Sequence, residues 1–384
     1  MLHDLPEIKG FSRRQLMRAA SVITAGATLP FYNEFAMAQD ASERVYGRGG
    51  RMAMPPDAVR ISSNENPLGP CAEACEAIAK IAKYGGRYSP FGEVGDFLKV
   101  VSEVEGVKMD YIAPYAGSSD PLHRSTLAFT SPSKGLVMGD PGYESSAGTA
   151  KFVGVKVTRV PLVKGTYAHD VKAMLAADPN AGVYYICNPN NPTGTITKRE
   201  DIEWLLANKN KDSILLLDEA YIHFSEEMPG SDLVAKDKDV VVLRTFSKAY
   251  GMAGIRCGMA MGRPDLLAKL RPYGAGMLPI TGIVAGTTSY KQKTLVAERR
   301  AINAKVRAST FEYLDKKGIK YIPSVSNKFM MEAGRPGAEL TKALAAEKVF
   351  IGRTWPVWPT MVRVSIGTQD DMDKFKAALN KVLS

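Results

Sequence analysis

Between Met109 and Leu278, short runs of β-branched and apolar residues alternate with segments of helical periodicity. Several of these runs are apolar at every position, as strands are when a sheet is covered on both faces. GLVMGD, VKVTRVPL, GVYYICN, SILLLDEAY and DVVVLRTF are the predicted strands, with a further one at GMAMG. The spacers between them are long enough for crossover helices, which makes the sheet parallel. After Pro279 the pattern changes to a long charged helical stretch, TLVAERRAINAKVRASTFEYLDKKG, then a strand at NKFMMEAG, a helix, and a strand at VRVSIG. The pattern predicts an α/β chain: a large sheet-bearing domain over 85–285, a smaller α+β domain over 286–384, and an arm over 39–84 that adds to the smaller domain.

The first 38 residues follow another grammar. Paired arginines in Ser12-Arg13-Arg14-Gln15-Leu16 precede an apolar stretch from Ala19 to Phe31 and a small-x-small site at Ala36-Met37-Ala38. That order reads as a cleavable leader too short to span a membrane. Its adjacent arginines resemble a twin-arginine export signal. The resemblance implies export machinery as a partner, a periplasmic destination, and passage in the folded state, often with a cofactor in place. Cleavage near Gln39 would remove Lys9, Arg13, Arg14 and Arg18 against Asp4, Glu7 and Glu34, one net positive charge.

The 384 residues are 45% apolar and 23% charged, ordinary for a soluble globular protein and incompatible with a fibrous or disordered one. The formal charge of +10 does not point to nucleic acid, because Lys and Arg are scattered among acids instead of gathered into a stripe. An anionic small molecule accounts better for several of the arginines. The four cysteines, Cys71, Cys75, Cys187 and Cys257, lack CxxC spacing and a matching histidine pattern, so no metal site is expected. Cys71 and Cys75 read as two unpaired thiols on one helix face, with a local bridge as the alternative.

Ligands of open parallel sheets sit beyond the carboxyl ends of the strands. Three of the predicted strands end there in Asn191, Asp218 and Lys248, spaced 27 and 30 residues apart. An amide, a carboxylate and an amine brought together suit pyridoxal phosphate. The amine forms a Schiff base with the aldehyde, the carboxylate keeps the pyridine nitrogen protonated, and the amide donates to the phenolic oxygen. Gly117, Ser118 and Ser119 precede a predicted helix near Pro121, whose N-terminus favours an anion such as the phosphate. Ser247 and Arg256 add a hydroxyl and a charge-assisted pair. Tyr143, in DPGYE, is placed to lie flat on the pyridine ring.

In order, NENPLGP, GRYSP, AGSSD, DPGYE, NPNNPTG, DEAY, TFSKAYGMAGIRCG and MVRVSIGT resemble the fold-type I pyridoxal-phosphate aminotransferases, most closely the histidinol-phosphate aminotransferases. The resemblance covers nearly all of the chain after the leader. It implies a large domain with a mostly parallel seven-stranded sheet and a smaller α+β domain. It implies Lys248 as the Schiff-base lysine and proton carrier, and Asp218 as the partner of the pyridine nitrogen. Asn191 and Tyr221 would hold the phenolic oxygen, and Ser118, Ser247 and Arg256 the phosphate. Tyr88 of GRYSP would come from a neighbouring subunit, making a homodimer with a shared active site. Arg363 and Arg353 match the family's substrate arginines. Asn191 and Asn327 are also expected at the substrate; Asn327 stands where the family has an Asn–aromatic pair, here Asn327-Lys328-Phe329 with a lysine intruding. The implied substrates are an amino-acid or amino-phosphate donor and a 2-oxo-acid acceptor. An oxidase, lyase or racemase using the same cofactor is the alternative.

Overall fold

The computed structural model describes residues 55–274, 276 and 278–383, so the expected leader and the first part of the arm lie outside the described residues. Twelve strands occur among them: β1 (Val59–Ile61), β2 (Ile112–Tyr115), β3 (Leu136–Asp140), β4 (Val157–Pro161), β5 (Val183–Cys187), β6 (Ile214–Asp218), β7 (Val240–Thr245), β8 (Gly258–Met261), β9 (Tyr321–Ile322), β10 (Lys328–Glu332), β11 (Val349–Ile351) and β12 (Met361–Ser365). Seven form one sheet in the order β2-β8-β7-β6-β5-β3-β4. All six strands predicted from the apolar runs of the large domain are in it.

The seventh, β2, holds only four residues and a proline, which a sheet tolerates at its edge, where β2 lies. β8 is antiparallel to both β2 and β7, and the other strands run parallel. β5, β6 and β7 are buried at every position, which is why their sequences show no alternation. A buried arginine on β7, Arg244, ties the helix Glu93–Glu105 to this sheet through ion pairs of 2.8 Å to Glu105 and to Glu219.

The smaller layer pairs β12, β10 and β9 antiparallel and β1 with β11 in parallel. Alternation along β10 and β12 sends Phe329, Met331, Val362 and Val364 into a core shared with Leu340, Leu344, Phe375 and Leu379. By the same period of two, Lys328, Met330, Arg363 and Ser365 share the opposite face. Among the described residues of the arm, β1 joins this small core. The helix Ala72–Ala82 does not: it packs on the helix Ile280–Lys291 and adds Ala74 to the large core. The stripe carrying Ala74 and Ile78 finds its apolar partner on the large layer. Cys71 and Cys75 are free thiols, the first buried and the second exposed.

Candidate active site

Because β5, β6 and β7 are neighbours and parallel, their carboxyl ends deliver Asn191, Asp218 and Lys248 to one edge of the sheet. Asp218 is the last residue of β6. Its Oδ1 accepts from the Ala220 amide at 3.1 Å and its Oδ2 from the Tyr185 phenol at 3.0 Å. Burial, with the Asp218 charge adding to it, pushes the Tyr185 phenol well above its ordinary range, so Tyr185 is a donor at all working pH values. Lys248 Nζ donates to the Ser63 carbonyl at 3.1 Å and lies 5.6 Å from the centre of the Tyr221 ring. The Tyr221 hydroxyl accepts from Asn64 Nδ2 at 3.0 Å, and Asn191 Oδ1 accepts from Arg363 Nη1 at 3.1 Å. A second prong of Arg363, Nη2, donates to the Ser62 carbonyl.

The segment Ser62–Asn66 therefore runs between the two layers, and Asn64 is its anchor. The Asn64 amide donates to Ser365 Oγ at 2.8 Å, Ser365 Oγ donates back to Asn64 Oδ1 at 3.0 Å, and Asn327 Nδ2 donates to the Asn64 carbonyl at 3.0 Å. Asn327 was expected at the substrate. It is buried and braces Asn64.

Residues 116–118 form a turn between β2 and the helix Ser119–Phe129. Gly117 has φ +92°, and a Cβ there would collide with the Arg256 guanidinium. Arg256 Nη2 donates to the Ala116 carbonyl at 2.9 Å and Nη1 to Ser247 Oγ at 3.3 Å. The Ser118 hydroxyl makes no capping bond to the helix it precedes. The donors thus comprise helix-terminal amides, the Ser118 and Ser247 hydroxyls and one guanidinium, with Ser119 opening the helix. Such a set, built where only a glycine fits, suits a phosphate monoester.

Tyr143 follows β3 in the loop before the helix Ser145–Phe152 and packs partly buried on the large core. Tyr88 is 82% exposed in the single chain, near Phe91 and Tyr84, whose rings meet edge to face at 4.8 Å. Arg353 forms an ion pair with Glu144 and stacks its guanidinium 3.9 Å from the Trp355 ring centre. Sequence reasoning missed Tyr185, Asn64 and Glu144. Tyr185 carried a signal, a polar tip inside the apolar run GVYYIC; the other two carried none beyond lying inside quoted motifs.

An α/β fold that sets an amine, a carboxylate and an amide at adjacent strand ends, beside an anion cradle, defines the class of fold-type I pyridoxal-phosphate enzymes. Residues 56–379 match aminotransferase class I and II, and the chain belongs to that family. It is 33% identical over 343 residues to histidinol-phosphate aminotransferase 2 of Pseudomonas aeruginosa, covering 86% of this chain and 90% of that one. To histidinol-phosphate aminotransferase of Moorella thermoacetica it is 29% identical over 339 residues, covering 85% and 86%. The crystal structure of histidinol-phosphate aminotransferase from Sinorhizobium meliloti in complex with pyridoxal-5'-phosphate superposes with a TM-score of 0.80 at 22% identity, over 98% of this chain and 99% of that one. The chain is a pyridoxal-phosphate-dependent aminotransferase.

Proposed function

We propose that this aminotransferase exchanges an amino group between an amino acid, or an amino phosphate, and a 2-oxo acid at the site around Lys248. Bound there, pyridoxal phosphate supplies an aldehyde that takes the amino group and a pyridine ring that accepts electrons from the substrate's α-carbon. The chain's own residues hold it and move the proton. Lys248 Nζ would hold the aldehyde carbon between turnovers and carry the proton at the substrate's α-carbon. Asp218, fixed by Tyr185 and the Ala220 amide, keeps the ring nitrogen protonated. Asn191 and Tyr221 would hold the phenolic oxygen, Tyr143 would pack against the ring, and Gly117, Ser118, Ser119, Ser247 and Arg256 would hold the phosphate. Arg363 takes the substrate's oxyanion with two donors in a fixed fork. Arg353, paired with Glu144, is the second substrate arginine of this reading.

The single observation that carries this reading is the convergence of Lys248, Asp218 and Asn191 at neighbouring strand ends. Lys248→Ala should abolish the visible absorbance change on adding amino donors, and an unchanged spectrum and rate would overturn the assignment. With donor alone under argon, the wild-type protein should release one equivalent of 2-oxo acid. Product that needs oxygen, with peroxide released, would place the chemistry among oxidases.

Two further parts of the proposal concern assembly and address. The exposed Tyr88, Phe91 and Tyr84 support a homodimer in which Tyr88 completes the neighbouring subunit's phosphate site. Arg13 and Arg14, with the apolar stretch after them, support export of the folded protein to the periplasm. Sedimentation of the protein loaded with cofactor, and fractionation of cells carrying Arg13→Lys with Arg14→Lys, test the two separately. A monomer refutes the first, and an unchanged periplasmic yield the second.

A further inference from the structure

One cation in the site has no part in the scheme above. Lys328, the lysine that intrudes after Asn327, is the first residue of β10 and is 0% exposed. Its Nζ sits 3.0 Å from the centre of the Tyr221 ring and donates to Ser326 Oγ at 3.1 Å. The pairing of β10 with β12 puts Lys328 opposite Ser365, on the face that also carries Arg363. The side chain thus points away from the small core and into the seam where Asn64, Tyr221 and Lys248 meet. Its charge is felt on the large sheet: burial pushes the Cys187 thiol up, the Asp218 carboxylate adds to this, and the Lys328 ammonium opposes it.

A lysine that only filled space here would be a poor choice, because burying an ammonium carries a penalty that a methionine of similar length avoids. The contact with an aromatic face recovers part of it. What methionine lacks is the charge. The Tyr221 ring is bordered by two amines, Lys328 at 3.0 Å and Lys248 at 5.6 Å from its centre.

We propose that Lys328 is a positioning residue for the cofactor: clamped on the Tyr221 ring, it fixes the phenol that serves the cofactor's phenolic oxygen and sets a second positive charge beside Lys248. The proposal rests on the assignment of Lys248 and Tyr221 given above. The titratable and charged groups around Lys328 are Tyr221 under its Nζ, Arg363 on the same sheet face, Cys187, which feels both Lys328 and Asp218, and Lys248, which also borders the Tyr221 ring. One carboxylate thus stands among three cations. A like charge nearby disfavours protonation of the Lys248 nitrogen, so Lys328 keeps that nitrogen in its proton-accepting form at lower pH.

The test is the pH titration of the visible band of the protein loaded with pyridoxal phosphate, in Lys328→Met, which keeps the length and removes the charge, and in Lys328→Arg. The midpoint should rise by about one pH unit in Lys328→Met and stay within a few tenths in Lys328→Arg. A purely structural role would change thermal stability or cofactor retention and leave the midpoint where it was, so an unshifted Lys328→Met overturns the proposal. Should Lys328→Met fail to fold, Lys328→Gln keeps a donor for Ser326 and is titrated in its place. Failure of both neutral variants to fold beside a sound Lys328→Arg would make the ammonium a folding requirement and equally overturn the proposal. A visible band that survives in Lys248→Ala would refute the assignment beneath it and leaves a different signature from either result.

Discussion

Arg363 on the small sheet donates from Nη1 to Asn191 Oδ1 at the end of the large sheet, at 3.1 Å. The guanidinium is buried, and its other prong rests on the Ser62 carbonyl, so it is fixed in orientation before any substrate arrives. In the proposed site, one arginine thereby couples the group assigned to the substrate to the group assigned to the cofactor. Preorganisation of this kind lowers the ordering cost of binding.

Arg363→Lys keeps the charge and loses the fork, and the lysine cannot serve Asn191 and Ser62 together. A loss of about 100-fold in kcat/KM is expected, from the disruption of a buried charge-assisted contact. Cofactor content, read from the visible band, should not change. Steady-state kinetics with several donors measures this, and a loss below about threefold would remove Arg363 from the substrate site.

Tyr184 and Tyr185 are neighbours on β5 that point to opposite faces. Tyr185 serves Asp218 at 3.0 Å, while the Tyr184 hydroxyl serves the Asp178 carbonyl at 2.7 Å, away from the site. Tyr185→Phe should lower kcat about tenfold by withdrawing one of the carboxylate's donors, a contribution of ~1–1.5 kcal/mol. Tyr184→Phe should lower stability by a similar amount and leave kcat alone. Equal kinetic effects from the two would dissociate Tyr185 from the chemistry.

Gly117→Ala forces a Cβ onto the Arg256 guanidinium at a φ of +92°, which L side chains rarely adopt. Displacing Arg256 should weaken the phosphate grip, with cofactor dissociating at least tenfold faster and roughly 1–3 kcal/mol lost from strain. Dialysis followed by absorbance reports the first effect and urea unfolding the second. Full cofactor retention in the variant would show that the phosphate sits elsewhere.

Two histidines, His169 buried and His223 half-buried, set an acid limit on stability. Burial holds His169 down to about 4, with the Cys187 carbonyl opposing, and His223 down to about 3, with Arg244 and Arg300 adding to the effect. An unfolded histidine titrates near 6.5, so between pH 6.5 and 4 the unfolded chain binds protons that the folded chain refuses. The stabilisation is present at neutral pH and is lost as pH falls through that window, on the order of 3 kcal/mol per histidine. Urea midpoints should decline from pH 7 to pH 5. His223→Phe, which keeps the edge-to-face contact with Tyr250 and removes an Nδ1 that makes no hydrogen bond, should flatten the decline. A slope identical to wild type would exclude His223 as a contributor.

The parallel centre of the sheet was legible because β5, β6 and β7 are covered on both faces and so are apolar throughout, a pattern that also marks where they stop. Asn191, Asp218 and Lys248 could be read as one set for that reason alone. β2 was not legible, since an edge strand of four residues with Pro114 has neither periodicity nor length. Asn64 was quoted only as part of a motif, and Asn327 was read as a substrate residue. Their role arises from a junction between layers that no local pattern encodes. Arg353 illustrates the same limit: its partner Glu144 lies 209 residues away, and whether an arginine awaits a substrate or is already paired depends on such a contact.

The bonds joining Asn64 to Ser365 span 301 residues of sequence. Contacts of that separation form late, because the entropy of closing so long a loop must be met before they return anything. A growing chain that has made the large sheet and Lys248 still lacks the strand that seats Asn64, and with it the support for Tyr221. A chain cut before residue 365 keeps the Lys248 amine and loses the hydroxyl that holds Asn64 against Tyr221.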